Sequence, residues 1–263
     1  MTQSVKIYIN MKSLYFICLV MLIACNPPQT ETPKQEDKTF TYEGKTLSEF
    51  QIREAIRSTF DFANLEKYAI LNKSRGAPGK KAIFMGNSIV EGWEGIDKQF
   101  FLDNNFLCRG ISGQTSQQML LRFREDVINL YPKAVVINAG TNDIAENTGP
   151  YNVDFTFSNI ISMAQLAEAN GIIPILSSVL PADEFVWRKE LGNPSVKIIQ
   201  LNNRLKTYAQ QNNWVYLDYH SKLKNERNGL DPELAKDGVH PTLHAYRLME
   251  TVATAAVEKA LSK

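Results

Sequence analysis

A serine, a histidine and an aspartate become a nucleophilic centre when a fold brings them within hydrogen-bond reach. The imidazole takes the hydroxyl proton, and the carboxylate fixes the imidazole's tautomer. The sequence holds one such set, in separated segments. Gly86-Asn87-Ser88-Ile89 offers Ser88 as the nucleophile, on a tight turn where Gly86 permits close approach or an unusual φ. Asp237-Gly238-Val239-His240-Pro241 offers the base, because three residues on a turn let Asp237 reach one nitrogen of His240. Between them stand two donors suited to a developing oxyanion. One is the backbone N–H of Gly113, in Arg109-Gly110-Ile111-Ser112-Gly113-Gln114-Thr115-Ser116; the other is the side-chain amide of Asn142, in Gly140-Thr141-Asn142-Asp143. That is the equipment for cleaving a carboxylic ester through an acyl-enzyme.

Each segment also has an ordinary reading. Ser88 could cap a helix, and Gly113 could be a turn glycine ahead of a Thr115 or Ser116 cap. Asn142 could end a strand, and Asp237 with His240 could form a surface turn. Pro241 is expected at the first position of the last helix, with His240 just ahead of it. His240 and His244 share a ligand-like spacing, but that proline means they need not share a face. With no His-Glu-x-x-His motif, neither metal nor cofactor is expected. His220 reads as structural or solvent-facing. Trp93, Trp187 and Arg188 are candidates for lining a polar, sugar-stacking cleft.

Short apolar runs alternate with amphipathic stretches through most of the chain. Strands are expected at 82–85, 106–108, 134–138, 172–178 and 214–218, with helices near 89–101, 114–130, 154–170, 195–212 and 242–261. Strands spaced by helices make a parallel sheet covered on both faces, and such sheets bind ligands at the strands' carboxyl ends. Ser88, Gly113 and Asn142 each follow an expected strand. Ahead of this region, Leu47, Phe50, Ile52, Ile56, Phe60, Leu65, Tyr68 and Leu71 suggest one or two amphipathic helices.

The first residues read as an address. Lys12 precedes an apolar run from Leu14 to Ala24 that is too short to span a bilayer, as in a secretory signal. Leu22-Ile23-Ala24-Cys25 resembles a bacterial lipobox, with Cys25 as the acylated residue. Residues 26–45 read as a flexible, proline- and charge-rich tether, 46–79 as a helical extension and 80–263 as the main domain. The implied location is the bacterial cell envelope, with the chain held to the membrane by its lipid. The 29 Lys and Arg nearly balance the 28 Asp and Glu, so nothing points to a nucleic-acid partner. Past the leader only Cys108 remains, which excludes an internal disulfide and a zinc ribbon.

With those residues in place, the sequence resembles the SGNH (GDSL-type) hydrolases over roughly residues 80–258. Ser88 falls at the block I serine, Gly113 at the block II glycine, Asn142 at the block III asparagine, and Asp237 and His240 at the block V pair. Ser178–Ala182, Trp187-Arg188, Lys197–Ile199 and Leu201-Asn202 look like the family's acylhydrolase branch. Asn87 stands where the family name has Asp, and Gln114 where some members carry Asp. The resemblance implies a flavodoxin-like three-layer α/β/α sandwich with five parallel strands. It also implies Ser88 as nucleophile, His240 with Asp237 as base, and an oxyanion hole of Ser88, Gly113 and Asn142. It leaves the ester open. A lipid-anchored enzyme with no long apolar insertion suits short acyl groups, chiefly acetyl, on a carbohydrate. A lysophospholipase, a general lipid esterase, an acyltransferase or a catalytically silent glycan-binding lipoprotein could use the same scaffold.

Overall fold

The structure, a computed structural model, describes residues 39–42, 45–74 and 79–263. The leader, Cys25 and most of the expected tether lie outside the described residues. No helix among the described residues is long and apolar enough to cross a membrane. The chain divides into two units, Met1–Glu49 and Phe50–Lys263.

In the first unit, β1 (Thr39–Tyr42) pairs antiparallel with β2 (Lys45–Ser48), from Thr39 opposite Ser48 to Tyr42 opposite Lys45. These residues were expected to be tether and the start of a helix. The alternation Thr-Phe-Thr-Tyr is a strand's period of two, which explains the hairpin.

The second unit contains α1 (Glu49–Phe60, beginning one residue earlier) and α2 (Glu66–Ser74). The sheet follows, with β3 (Ala82–Gly86), β4 (Phe106–Gly110), β5 (Ala134–Ile137), β6 (Ile173–Ser177) and β7 (Val215–Leu217). All five are parallel, in the order β4-β3-β5-β6-β7. Helices lie on both faces: α3 (Ser88–Ile96), α4 (Lys98–Asp103), α9 (Tyr219–Leu223) and α10 (Leu243–Leu261) on one side. On the other are α5 (Ser116–Asp126), α7 (Val153–Ala169) and α8 (Ser195–Gln211). The short α6 (Thr141–Ile144) follows β5. This is the expected flavodoxin-like sandwich.

The central strand shows why the runs are apolar throughout. Ile83 and Met85 feed the core under α5, α7 and α8, while Ala82 and Phe84 feed the aromatic core under α3, α4 and α10. Two expected helices come out shorter. The 89–101 helix divides where Asp97 ends α3 and accepts from Phe100 N (3.3 Å) to start α4. The 114–130 helix stops at Asp126, followed by a 3₁₀ turn at Ile128–Leu130.

Candidate active site

Residues from β3, β4 and β5, neighbours in the sheet, deliver the site at their carboxyl ends. Chain direction reverses around β3, which leads first to β4 on one side and then to β5 on the other.

After β3, Asn87 occupies the cap of α3, and its Oδ1 accepts from Ile89 N (3.0 Å). Ser88 is then the first residue of the helix, so its hydroxyl is not consumed in capping. Ser88 Oγ lies 2.9 Å from His240 Nε2. Capping is also what Asn supplies at the position where the family name has Asp, although Asn87 Nδ2 is buried with no partner among the described residues. Gly86 serves close approach, since a Cβ there would meet Val90 Cγ2 at 2.3 Å.

His240 and Asp237 sit on the loop between α9 and α10. Asp237 Oδ2 lies 2.6 Å from His240 Nδ1, and Oδ1 accepts from His240 N (2.8 Å) and Val239 N (3.0 Å). Partial burial pushes this carboxyl up, but the His240 side chain and the two backbone N–H groups outweigh it. The Asp237 pKa is held below the usual carboxylate range, so the group stays charged and aimed at the imidazole. Thr242 caps α10, accepting from Ala245 N (3.4 Å), so Pro241 precedes the cap instead of opening the helix. Threonine is a good cap and proline a poor continuation of one, which moves the helix start to Leu243.

Arg109 and Gly110, read as loop, belong to β4. The following turn places Gly113 at φ +77°, with open space where a Cβ would be. Thr115 takes the cap position of α5 and Gln118 Oε1 accepts from its N–H (3.0 Å), so Gly113 is not part of the cap. Glu91 steadies the turn by accepting from Ser112 N (2.6 Å). Asn142 is buried in α6, and one N–H of its amide donates to Gln114 O (3.0 Å). An amide nitrogen carries two N–H groups, so one is left to donate. The next residue, Asp143, binds Ser116 N (2.9 Å) and fixes α6 against α5.

Of the cleft candidates, Trp187 and Arg188 lie near this line of residues. The Trp187 ring is 6.0 Å from the His240 ring, with Nε1 3.4 Å from Asn147 Oδ1. Arg188 Nη1 donates to Ala145 O (2.8 Å) and Glu146 O (3.0 Å) behind Asn147. Trp93 does not line a cleft. It is 1% exposed and stacks on Phe100 (4.8 Å) and Tyr246 (5.2 Å) in the core under α3, α4 and α10, because helical spacing turns it to the sheet.

Sequence reasoning passed over Arg122, which is wholly buried. Its Nε donates to Gln114 Oε1 (2.6 Å), Nη1 to Asp126 Oδ2 (2.8 Å), and Nη2 to Gly86 O (2.9 Å) and Arg109 O (3.0 Å). One guanidinium thus ties together the ends of β3 and β4 and the turn after Gly113. The signal was present: Arg122 and Asp126 stand four apart on the same helical stripe as Met119 and Phe123.

No cluster of three or more metal-type ligands occurs among the described residues. His220 is buried, not solvent-facing. Its backbone N–H donates to Ser178 Oγ (2.9 Å), and Nε2 has no partner among the described residues. Burial lowers its pKa from 6.5, opposed by Asp218 and assisted by Lys224. The unfolded chain therefore binds this proton more readily than the folded one. The stability that neutral His220 supplies is complete above the unfolded value and is lost as pH falls through it. In urea unfolding, stability should decline from pH 8 to pH 5, and His220→Asn should flatten that decline. An unchanged slope would exclude His220 as its source.

Comparison with known proteins agrees with this architecture. Residues 84–248 match the model of the GDSL-like Lipase/Acylhydrolase family. The chain is 53% identical to a GDSL-like lipase of Bacteroides thetaiotaomicron, covering 76% of this chain and 99% of that one at a TM-score of 0.73. It is 50% identical to a Bacteroides fragilis protein described as an acylhydrolase, again covering 76% and 99%, at a TM-score of 0.74. It is also 34% identical over 83 residues to an uncharacterized lipoprotein of Bacillus subtilis, a match covering 30% of this chain and only 34% of that protein's length. The chain belongs to the GDSL-like lipase/acylhydrolase family of hydrolases.

Proposed function

We propose that this acylhydrolase cleaves carboxylic esters through an acyl-enzyme on Ser88, and that its esters carry short acyl groups, chiefly acetyl, on carbohydrate. The observation that carries the chemistry is the line Ser88 Oγ, His240 Nε2, His240 Nδ1, Asp237 Oδ2, with Asn87 relieving Ser88 of capping.

His240 Nε2 takes the hydroxyl proton as Ser88 Oγ attacks the ester carbonyl. Asp237 holds the other nitrogen protonated and stabilises the imidazolium that forms. The tetrahedral oxyanion is held by the backbone N–H groups of Ser88 and Gly113 and the remaining N–H of Asn142. Ser88 is the first residue of α3, so the helix's positive end adds to the stabilisation. His240 then protonates the departing alcohol. Water, deprotonated by the same imidazole, releases the acid and restores Ser88.

We also propose that the chain is exported as a lipoprotein acylated at Cys25. The apolar run before Cys25 supports this, as does the similarity, over part of its length, to a protein named as a lipoprotein.

A p-nitrophenyl ester series from acetate to octanoate, with a fluorophosphonate and peptide mass mapping, tests the reading. Turnover should fall steeply as the acyl chain lengthens, and the label should sit on Ser88. A preference for octanoate would move the substrate to lipids. An inert protein with Ser88 unlabelled would refute the esterase and turn attention to glycan binding.

A further inference from the structure

The family match begins at residue 84, yet residues before it are bonded to the turn that carries Gly113. Gln114 Nε2 donates to Ala63 O (2.7 Å), Gln118 Nε2 to Phe62 O (2.8 Å), and Tyr68 Oη to Gly110 O (2.6 Å). Asn72 Oδ1 accepts from Arg109 Nη2 (2.6 Å). Lys67 pairs with Glu91, the carboxylate that holds Ser112 N. The connection from α1 through α2 is therefore fastened to both ends of the 111–115 turn.

Where they meet, a cleft of about 670 Å³ opens, lined by Arg57 and Phe62, by the turn at Gly113, and by Asn147 and Arg188. Volumes of roughly 300–1,000 Å³ hold whole small molecules. An acetyl group would occupy only a small corner of it, so the space must serve another part of the ester. Phe62 and Ile111 are the wholly apolar side chains among its lining residues, and no carboxylate lines it. A long acyl chain would desolvate Arg57, Asn147 and Arg188 without giving them hydrogen bonds. A polyhydroxylated group would accept those bonds and lay its C–H face on Phe62. Arg57 Nη1 reaches Asp61 O at 3.4 Å, and its remaining N–H groups carry further donor capacity.

We infer that this cleft receives the alcohol portion of the ester, a hydroxyl-bearing group the size of one or two sugar rings, and that Arg57 and Phe62 select it. The inference rests on the serine-esterase reading, and the assay separates the two. Hydrolysis of ethyl acetate is compared with that of an acetylated methyl xyloside, for the wild type, Arg57→Met and Phe62→Ala. Both side chains are partly exposed, so the fold should tolerate their loss. Wild type should favour the sugar acetate about tenfold or more in kcat/KM. Each variant should lose about tenfold on the sugar acetate while staying within about twofold on ethyl acetate. Equal losses on both esters, no loss on either, no preference in the wild type, or losses confined to long-chain acyl esters would each overturn the cleft assignment and leave the esterase standing. A wild type inert on every ester would end the esterase reading and this inference with it.

Discussion

Ser88→Ala is expected to lower kcat on p-nitrophenyl acetate by about 10⁶-fold, and Asp237→Asn by about 10⁴-fold. The double variant should be no slower than Ser88→Ala alone, because the residues act as one unit through His240. The first loss follows from removing the only oxygen within 2.9 Å of His240 Nε2 that can form the acyl bond. The second has a different cause. An asparagine can keep the side-chain oxygen that accepts from Val239 N and His240 N, so the turn should survive. Its amide would face His240 Nδ1 with N–H groups, favouring the tautomer that carries the proton on Nε2. That nitrogen could then no longer take one from serine. Steady-state kinetics, with circular dichroism to show that each variant folds, decide the matter. Losses that multiply in the double variant would mean that Ser88 and Asp237 do not serve one reaction step.

The second large effect concerns stability. Arg122→Met should cost about 3–5 kcal/mol in urea unfolding, the scale seen when one partner of a buried ion pair is removed. Asp126 would keep Asn72 Nδ2 (2.7 Å) but lose the guanidinium, while Gly86 O, Arg109 O and Gln114 Oε1 would lose their donor. Adding Asp126→Leu should recover part of the loss, because the stranded charge leaves with it. Arg122→Lys should not rescue it, since one ammonium cannot span four acceptors set around a planar fork. If Arg122→Met unfolds at the wild-type urea midpoint, the guanidinium is not what joins these strand ends.

Much of this molecule was legible in the sequence, and for a common reason. The five strands are apolar on both faces and the helices have one apolar stripe, so local periodicity reflects the layer each element must occupy. Ser88, Gly113, Asn142, Asp237 and His240 could be picked out because each stands just past such an element, where backbone groups and side chains are free to face a substrate. The order of segments also foretold a parallel sheet with its reactive edge at β3, β4 and β5.

What the sequence left open turned on contacts between distant segments. Trp93 has the composition of a sugar platform, yet the helix turns it into the aromatic core, and only packing shows which face is inward. Whether Ser88 caps α3 was undecidable until Asn87 was seen bonded to Ile89 N. The hairpin of residues 39–48 hid in a polar, low-hydrophobicity stretch, because a pair of four-residue strands needs a partner more than a pattern. Arg122 and the connection between α1 and α2 matter through bonds spanning from 8 to 56 residues of sequence. Local sequence fixes which residues can do chemistry, because φ/ψ preference and amphipathicity act over a few residues. Which of them meet, and what wall stands beside them, is decided by long-range packing and burial, and only the tertiary structure records that.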